Sequence, residues 1–233
     1  VNYLQLCQAA RRECRITGTG PSAVAGQVGQ LARIVAWVDD AWTSIQNDQD
    51  WRWMRSTFTV STTEDDDDYA FGECTDVAAA ALISRFGRWR LNDLEDPPKI
   101  YLSSTGVGGE TFMSWIEWEH FKAIYRRSTQ TSGHPVHISV DPADNIVIGP
   151  QPDGVYVVTG DYYKAAQTLS DDSDTPEMPA RFHNLIVYEV MEDYGLSEPA
   201  PEVYARGRAR GRRMRAALQA DQLERLRLAG PLV

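Results

Sequence analysis

The chain has 233 residues, 42% hydrophobic and 24% charged, with a formal net charge of −10. That length allows one good-sized core or two small subdomains and excludes a multi-domain machine. No apolar run reaches the roughly 18–20 residues that span a bilayer, and the acidic balance excludes wrapping DNA through counterion release. The first residues, Val1 to Gln8, lack the basic region and apolar core of a signal peptide. Three cysteines (Cys7, Cys14, Cys74) make an odd set without metal spacing, which fits a reducing cytosol better than a disulfide scaffold. The expectation is a protein that is neither secreted nor membrane-bound.

In chain order, residues 2–15 predict a short helix with Leu4, Cys7 and Cys14 roughly on one side. Thr17-Gly18-Thr19-Gly20-Pro21-Ser22 breaks it. From 25 to 47, Val28, Leu31, Val35, Val38, Trp42 and Ile45 are spaced three and four apart, one seam of an amphipathic helix. Trp51-Arg52-Trp53-Met54 follows, and Ser56 to Thr63 alternates as a strand. The charge run Glu64-Asp65-Asp66-Asp67-Asp68 reads as a loop tip. Residues 78–86 fit a helix or a buried strand. Lys99 to Ser103 reads as a strand, Gly106 to Gly109 as a loop, and Phe112 to Tyr125 as a short helix carrying Trp115 and Trp118. Residues 136–163 predict three antiparallel strands in a meander, with turns at 141–145 and 149–154. A helix over 179–194 follows, ended by Gly195. Pro201 opens the last helix. The fold class expected is α+β. Residues 1–54 and 176–233 form a helical bundle, and 55–175 form an inserted antiparallel β subdomain.

The last helix has a patterned surface. Segment 202–228 holds eight arginines (206, 208, 210, 212, 213, 215, 225 and 227) against Glu202, Asp221 and Glu224, so it is +5 and the remainder is −15. On a helical wheel Tyr204, Gly207, Gly211, Met214 and Leu218 share a narrow stripe. Arg206, Arg210 and Arg213 flank it on one side, and Arg208, Arg212 and Arg215 on the other. Glycine costs a helix about 1 kcal/mol relative to alanine, so two of them imply close approach of another backbone. That backbone belongs either to the chain's own bundle or to another molecule. The favoured expectation is an interface with a partner, comprising Tyr204, Arg206, Gly207, Arg208, Arg210, Gly211, Arg212, Arg213, Met214 and Arg215. Arginines on both flanks would meet carboxylates or carbonyls there.

Other constellations point weakly to chemistry. His134 and His137 are spaced as metal ligands but have no third partner at a sensible spacing. Asp171, Asp172 and Asp174 lack the glycine and glutamate of a calcium loop and read as caps of the coming helix. Glu117 and Glu119 among Trp115, Trp118 and Tyr125 are similar to a sugar cleft, though residues two apart diverge on a helix. No nucleophile elbow, phosphate loop or dinucleotide fingerprint is present. The expectation is a protein without enzymatic activity, metal or cofactor.

Several segments, in order, resemble phage head–tail adaptor (connector) proteins, the group that includes tail-tubular-protein-A-like proteins. They are Asn2-Tyr3-Leu4-Gln5-Leu6-Cys7, Thr17 to Pro21, Ala36-Trp37-Val38 with Ala41-Trp42 and Ile45-Gln46, and Trp51 to Met54. Later come Gly149-Pro150 with Pro152, Gly160 to Lys164, Pro176 to His183 and Ala200 to Tyr204. These residues are architectural, and their order carries the likeness. Residues 64–110 match least.

The resemblance implies a helical bundle with a β insertion and a structural role at the head–tail junction of the virion. It implies a homo-oligomeric ring, typically of twelve copies, below the portal protein. The ring extends the DNA channel, docks a tail nozzle or tail-completion protein, and serves DNA ejection. Genomic DNA would pass through the lumen without specific binding, and assembly would occur in the host cytoplasm. An acidic body suits such a channel. The basic C-terminal helix is expected to contact the portal or the adjacent subunit, and the acidic insert to face the tail or lumen. One rival is a carbohydrate-binding or hydrolytic tail component using Trp115, Glu117, Trp118 and Glu119. Another is a nucleic-acid-binding protein using the arginine helix.

Overall fold

The computed structural model describes residues 1–127 and 130–224. Arg225 and Arg227 of the basic segment lie outside the described residues. The chain divides into two compact units, one of Val1–Met54 with the chain from Ala166 onward, the other of Arg55–Ala165. It is an α+β protein.

The first unit is helical. Helix α1 (Tyr3–Glu13) opens with a capping box: Asn2 Oδ1 accepts from Gln5 N at 2.9 Å, and Asn2 N donates to Gln5 Oε1 at 3.1 Å. Its buried face is Tyr3, Leu6, Cys7 and Ala10, so Leu6 replaces the expected Leu4 at its centre. Helix α2 (Gly29–Asp48) buries Ile34, Val38, Ala41, Trp42 and Ile45. The expected seam holds from Val38 onward. Val28 does not belong to it: it stands before the helix in extended backbone and is 82% exposed. Trp51 is buried, donates its indole N–H to Ile45 O at 2.5 Å, and stacks on Trp53.

The second unit begins and ends on paired strands. Strand β1 (Arg55–Ser61) leads through β2 (Asp68–Tyr69), β3 (Thr75–Asp76), β4 (Ala81–Leu82), β5 (Phe86–Arg90), β6 (Lys99–Leu102), β7 (Thr111–Phe112) and β8 (Ser114–Trp115). Helix α3 (Trp118–Tyr125), β9 (His137–Val140), β10 (Ile146–Gly149) and β11 (Tyr156–Lys164) follow. β1 and β11 pair antiparallel along their length, from Arg55–Tyr163 to Ser61–Val157. Entry and exit are therefore adjacent, and the unit closes on itself as insertable domains do. One sheet has the order β4-β3-β1-β11-β6-β7, with β5 also on β11. The other has the order β2-β10-β9-β8. Their inner faces share one core, including Phe58, Val60, Ile100, Val158 and Tyr162 from the first and Ile138, Ile146 and Ile148 from the second.

Four local expectations change here. The meander stops after the β9–β10 hairpin, and β11 joins the other sheet. Pro150 and Pro152 lack the N–H groups that a continuing ladder would need. Residues 78–86 form a turn and β4 rather than a helix. The helix over 112–125 begins only at Trp118, because Phe112 pairs with Lys99 and Ser114–Trp115 pair with β9. The 64–68 run is not wholly a solvated tip. Asp68 pairs in β2, and Asp67 is buried with its carboxylate 3.0 Å from Arg126 Nη1.

In the stretch 166–175, expected in the insert, Gln167 and Leu169 hydrogen-bond to α2. Gln167 N donates to Gln46 Oε1 at 2.7 Å, Gln46 Nε2 donates to Gln167 O at 3.0 Å, and Leu169 N donates to Asp39 Oδ1 at 3.2 Å. The aspartates at 171–174 do not cap the helix that follows. Backbone carbonyls of Asp174 and Asp172 accept from Tyr3 N and Leu4 N, satisfying first-turn donors of α1. Asp172 Oδ1 accepts from Val24 N at 2.6 Å.

Helix α4 (Asn184–Ser197) buries Leu185, Ile186, Val187, Val190 and Met191, an apolar set that reaches around the helix. It packs against α1, α2 and the last helix, α5 (Pro201–Gln222). Gly195 lies inside α4 rather than ending it. A Cβ at Gly195 would stand 2.7 Å from Tyr204 N, so glycine lets α5 fold back at once.

Candidate functional site

Helix α5 is positioned by its glycines. Gly207 and Gly211 are buried, and a Cβ on Gly207 would meet Tyr188 O and Met191 Cβ of α4, each at 2.8 Å. The close approach that the two glycines imply is thus to the chain's own α4. This corrects the favoured expectation that the glycine stripe meets another molecule. Tyr204 and Met214 are half-buried.

The arginines divide into engaged and unengaged members. Arg206 donates to the carbonyl of Glu13, whose carboxylate is 3.6 Å from Arg206 Nη2 and 3.7 Å from Arg210 Nη1. Arg208 bonds Tyr204 Oη, four residues back. Arg215 bridges two helices, reaching Asp48 Oδ2 of α2 at 2.5 Å and Glu189 Oε1 of α4. Arg212 and Arg213 are exposed and make no ion pair among the described residues. Ala205, Ala209 and Ala216 are also exposed, so the outward side of α5 is a strip bordered by Arg213 and by Arg212, whose charge also acts on Glu192.

A cleft of about 540 Å³ opens between α2, α4 and α5. Asp40, Glu189, Glu192 and Asp193 line it together with Arg208, Arg212 and Arg215. Burial pushes the Glu189 carboxyl up to about 7, against the opposing pull of Arg215. Burial also raises Glu192, opposed by Arg208, and raises Asp193, helped by the charge of Asp40. Sequence reading missed these acids, because Asp40 on α2 meets α4 and α5 only through tertiary packing.

The remaining candidates do not converge. His134 sits against Tyr156 and within 3.3 Å of Thr111 Oγ1, while His137 Nδ1 is 2.6 Å from Tyr125 Oη. Among the described residues no group of His, Cys, Asp and Glu is arranged to hold a metal ion. Glu117 and Glu119 are exposed at the start of α3, and Glu119 pairs with Lys122 at 2.8 Å. No helix among the described residues is long and apolar enough to cross a membrane.

The chain is thus an α+β protein of one helical and one β unit, with basic side chains along α5 and acidic ones gathered in the cleft beside it. Comparison with family models identifies which kind. The model of the SU10 adaptor protein family matches residues 1–233, and the chain belongs to that family. It is thereby a phage structural adaptor and a virion component, of a class whose role is structural. Comparison with curated proteins gave no match.

Proposed function

We propose that this chain forms the head–tail adaptor ring of a tailed phage, seated below the portal and typically of twelve copies. The finer likeness to tail-tubular-protein-A-like adaptors is part of the same reading. The family match across the whole chain carries it. The ring extends the DNA channel and offers the tail nozzle or tail-completion protein a docking surface. The charge of −10 supports this, because an acidic wall repels the phosphate backbone and lets DNA pass without specific binding. Assembly in the host cytoplasm belongs to this reading.

The surface assigned to portal docking is the outward side of α5. Arg212 and Arg213 are its exposed cations, whereas Arg206, Arg210 and Arg215 form ion pairs with Glu13, Asp48 and Glu189. The test is native mass, taken on the chain alone and after mixing with its cognate portal ring. The expected result is a discrete gain of many copies per portal ring, twelve if the stoichiometry is typical. An intact portal ring that gains no mass would overturn the reading.

A further inference from the structure

The larger sheet of the β unit has three edge strands, β4, β7 and β5, and of these β5 carries Arg88 and Arg90. Natural sheets protect such edges by keeping them short, or with charge, proline or a bulge. β4 (Ala81–Leu82) and β7 (Thr111–Phe112) are short, and neither holds a charge or a proline. Leu82 is 60% exposed and Phe112 68%. Residues 77–84 hold no charged side chain and residues 102–112 hold only Glu110, in a chain where 24% of residues are charged.

Two geometric facts make the ends match each other. The path β4-β3-β1-β11-β6-β7 has six strands, each antiparallel to the next. Its end strands therefore run in opposite directions, and a neighbour's β7 beside β4 continues the same alternation. The register matches as well. Leu82 pairs with Thr75, Thr75 with Thr59, Thr59 with Thr159, Thr159 with Lys99, and Lys99 with Phe112. Leu82 and Phe112 are the two ends of one cross-strand row on one face. Setting one copy's sheet against the next places Phe112 opposite Leu82.

Charge selects the occupant. Two copies of a chain at −10 repel, and the repulsion is least where the surfaces carry fewest charges, none over 77–84 and one, Glu110, over 102–112. We propose that β7 of one copy pairs with β4 of the next, a head-to-tail contact that extends the sheet from copy to copy. Such a contact closes into a ring when the rotation per step permits. The inference rests on the adaptor-ring reading and names the strands that join its subunits.

The test is disulfide trapping in the variant Leu82→Cys with Phe112→Cys, assembled on the cognate portal ring and mildly oxidised. Directly opposed strand residues lie about 4.5–5.5 Å apart, within reach of a disulfide. Cys7, Cys14 and Cys74 are buried, so background coupling is low. A ladder of covalent multiples from the double variant, absent from either single variant, is the expected result. An intact portal complex that yields only monomers, or dimers from Phe112→Cys alone, overturns the sheet contact and leaves the adaptor reading standing. Failure of the unmodified chain to bind the portal removes both. As a second check, Leu82→Asp with Phe112→Asp should lose assembly while keeping its thermal midpoint. Unimpaired assembly of that variant would also overturn the proposal.

Discussion

Glu189 has its carboxylate on Arg215, yet it holds its proton more tightly than an ordinary glutamate. Burial outweighs the arginine and pushes the group from 4.5 to about 7. In the unfolded chain the same group ionises near its ordinary value. Between about pH 4.5 and 7 the folded state therefore binds more protons, and stability falls as pH rises through that window. Below and above it, both states carry the same charge and the contribution is flat. Replacing Glu189 with Gln removes this titration. Urea midpoints measured from pH 5 to 8 should fall less in the variant than in the parent. Some slope should remain, because Glu192 and Asp193 are raised too. Parallel curves for the two proteins would show that Glu189 is not the titrating group. None of this is legible in the sequence, where Glu189 is one of 33 acids.

At the scale of elements, the contact of α4 with α5 turns on which glycine meets a rigid atom. Gly207 faces the backbone oxygen of Tyr188 at 2.8 Å from where a Cβ would stand. Gly211 faces Glu192 Oε1 at 3.3 Å, the end of a flexible side chain, and Tyr188 Cβ at an ordinary 3.6 Å. Gly207→Ala should lower stability by about 1–3 kcal/mol through overpacking, less a helix-propensity gain of about 1 kcal/mol. Gly211→Ala should be neutral or stabilising by up to about 1 kcal/mol. Thermal melts that move both variants the same way would contradict this account. The wheel pattern found the stripe, and its spacing was legible because helical period is local. Whether the stripe met α4 or another molecule was not legible. The same limit applies to Gly195, which reads as a terminator from position alone. It lies within α4 because α5 returns across it.

For the whole molecule, the arginines of α5 split between holding the helical unit together and facing outward. Charge reversal at Arg212 and Arg213 should abolish portal binding while leaving the thermal midpoint within a few degrees, since both are exposed. Reversal at Arg206 and Arg210 should instead disturb the contact with Glu13. Retention of full portal binding by the Arg212→Glu, Arg213→Glu variant would remove α5 as the docking surface. The arginine contact should weaken with added salt through screening, and a neutral strand contact should not.

By itself, the sequence determined the α+β class, the long amphipathic helix through Val38, Trp42 and Ile45, the paired β9–β10 hairpin and the family likeness. Each of these rests on periodicity, turn chemistry or segment order, which are written along the chain. Only the tertiary structure decided that β11 leaves the hairpin to pair with β1, and that Asp172 and Asp174 secure α1. It also decided that four of the six described arginines flanking the stripe are spent inside the chain, and that Leu82 and Phe112 end one row. Those facts depend on residues up to two hundred positions apart meeting in space, and no local pattern encodes such a meeting.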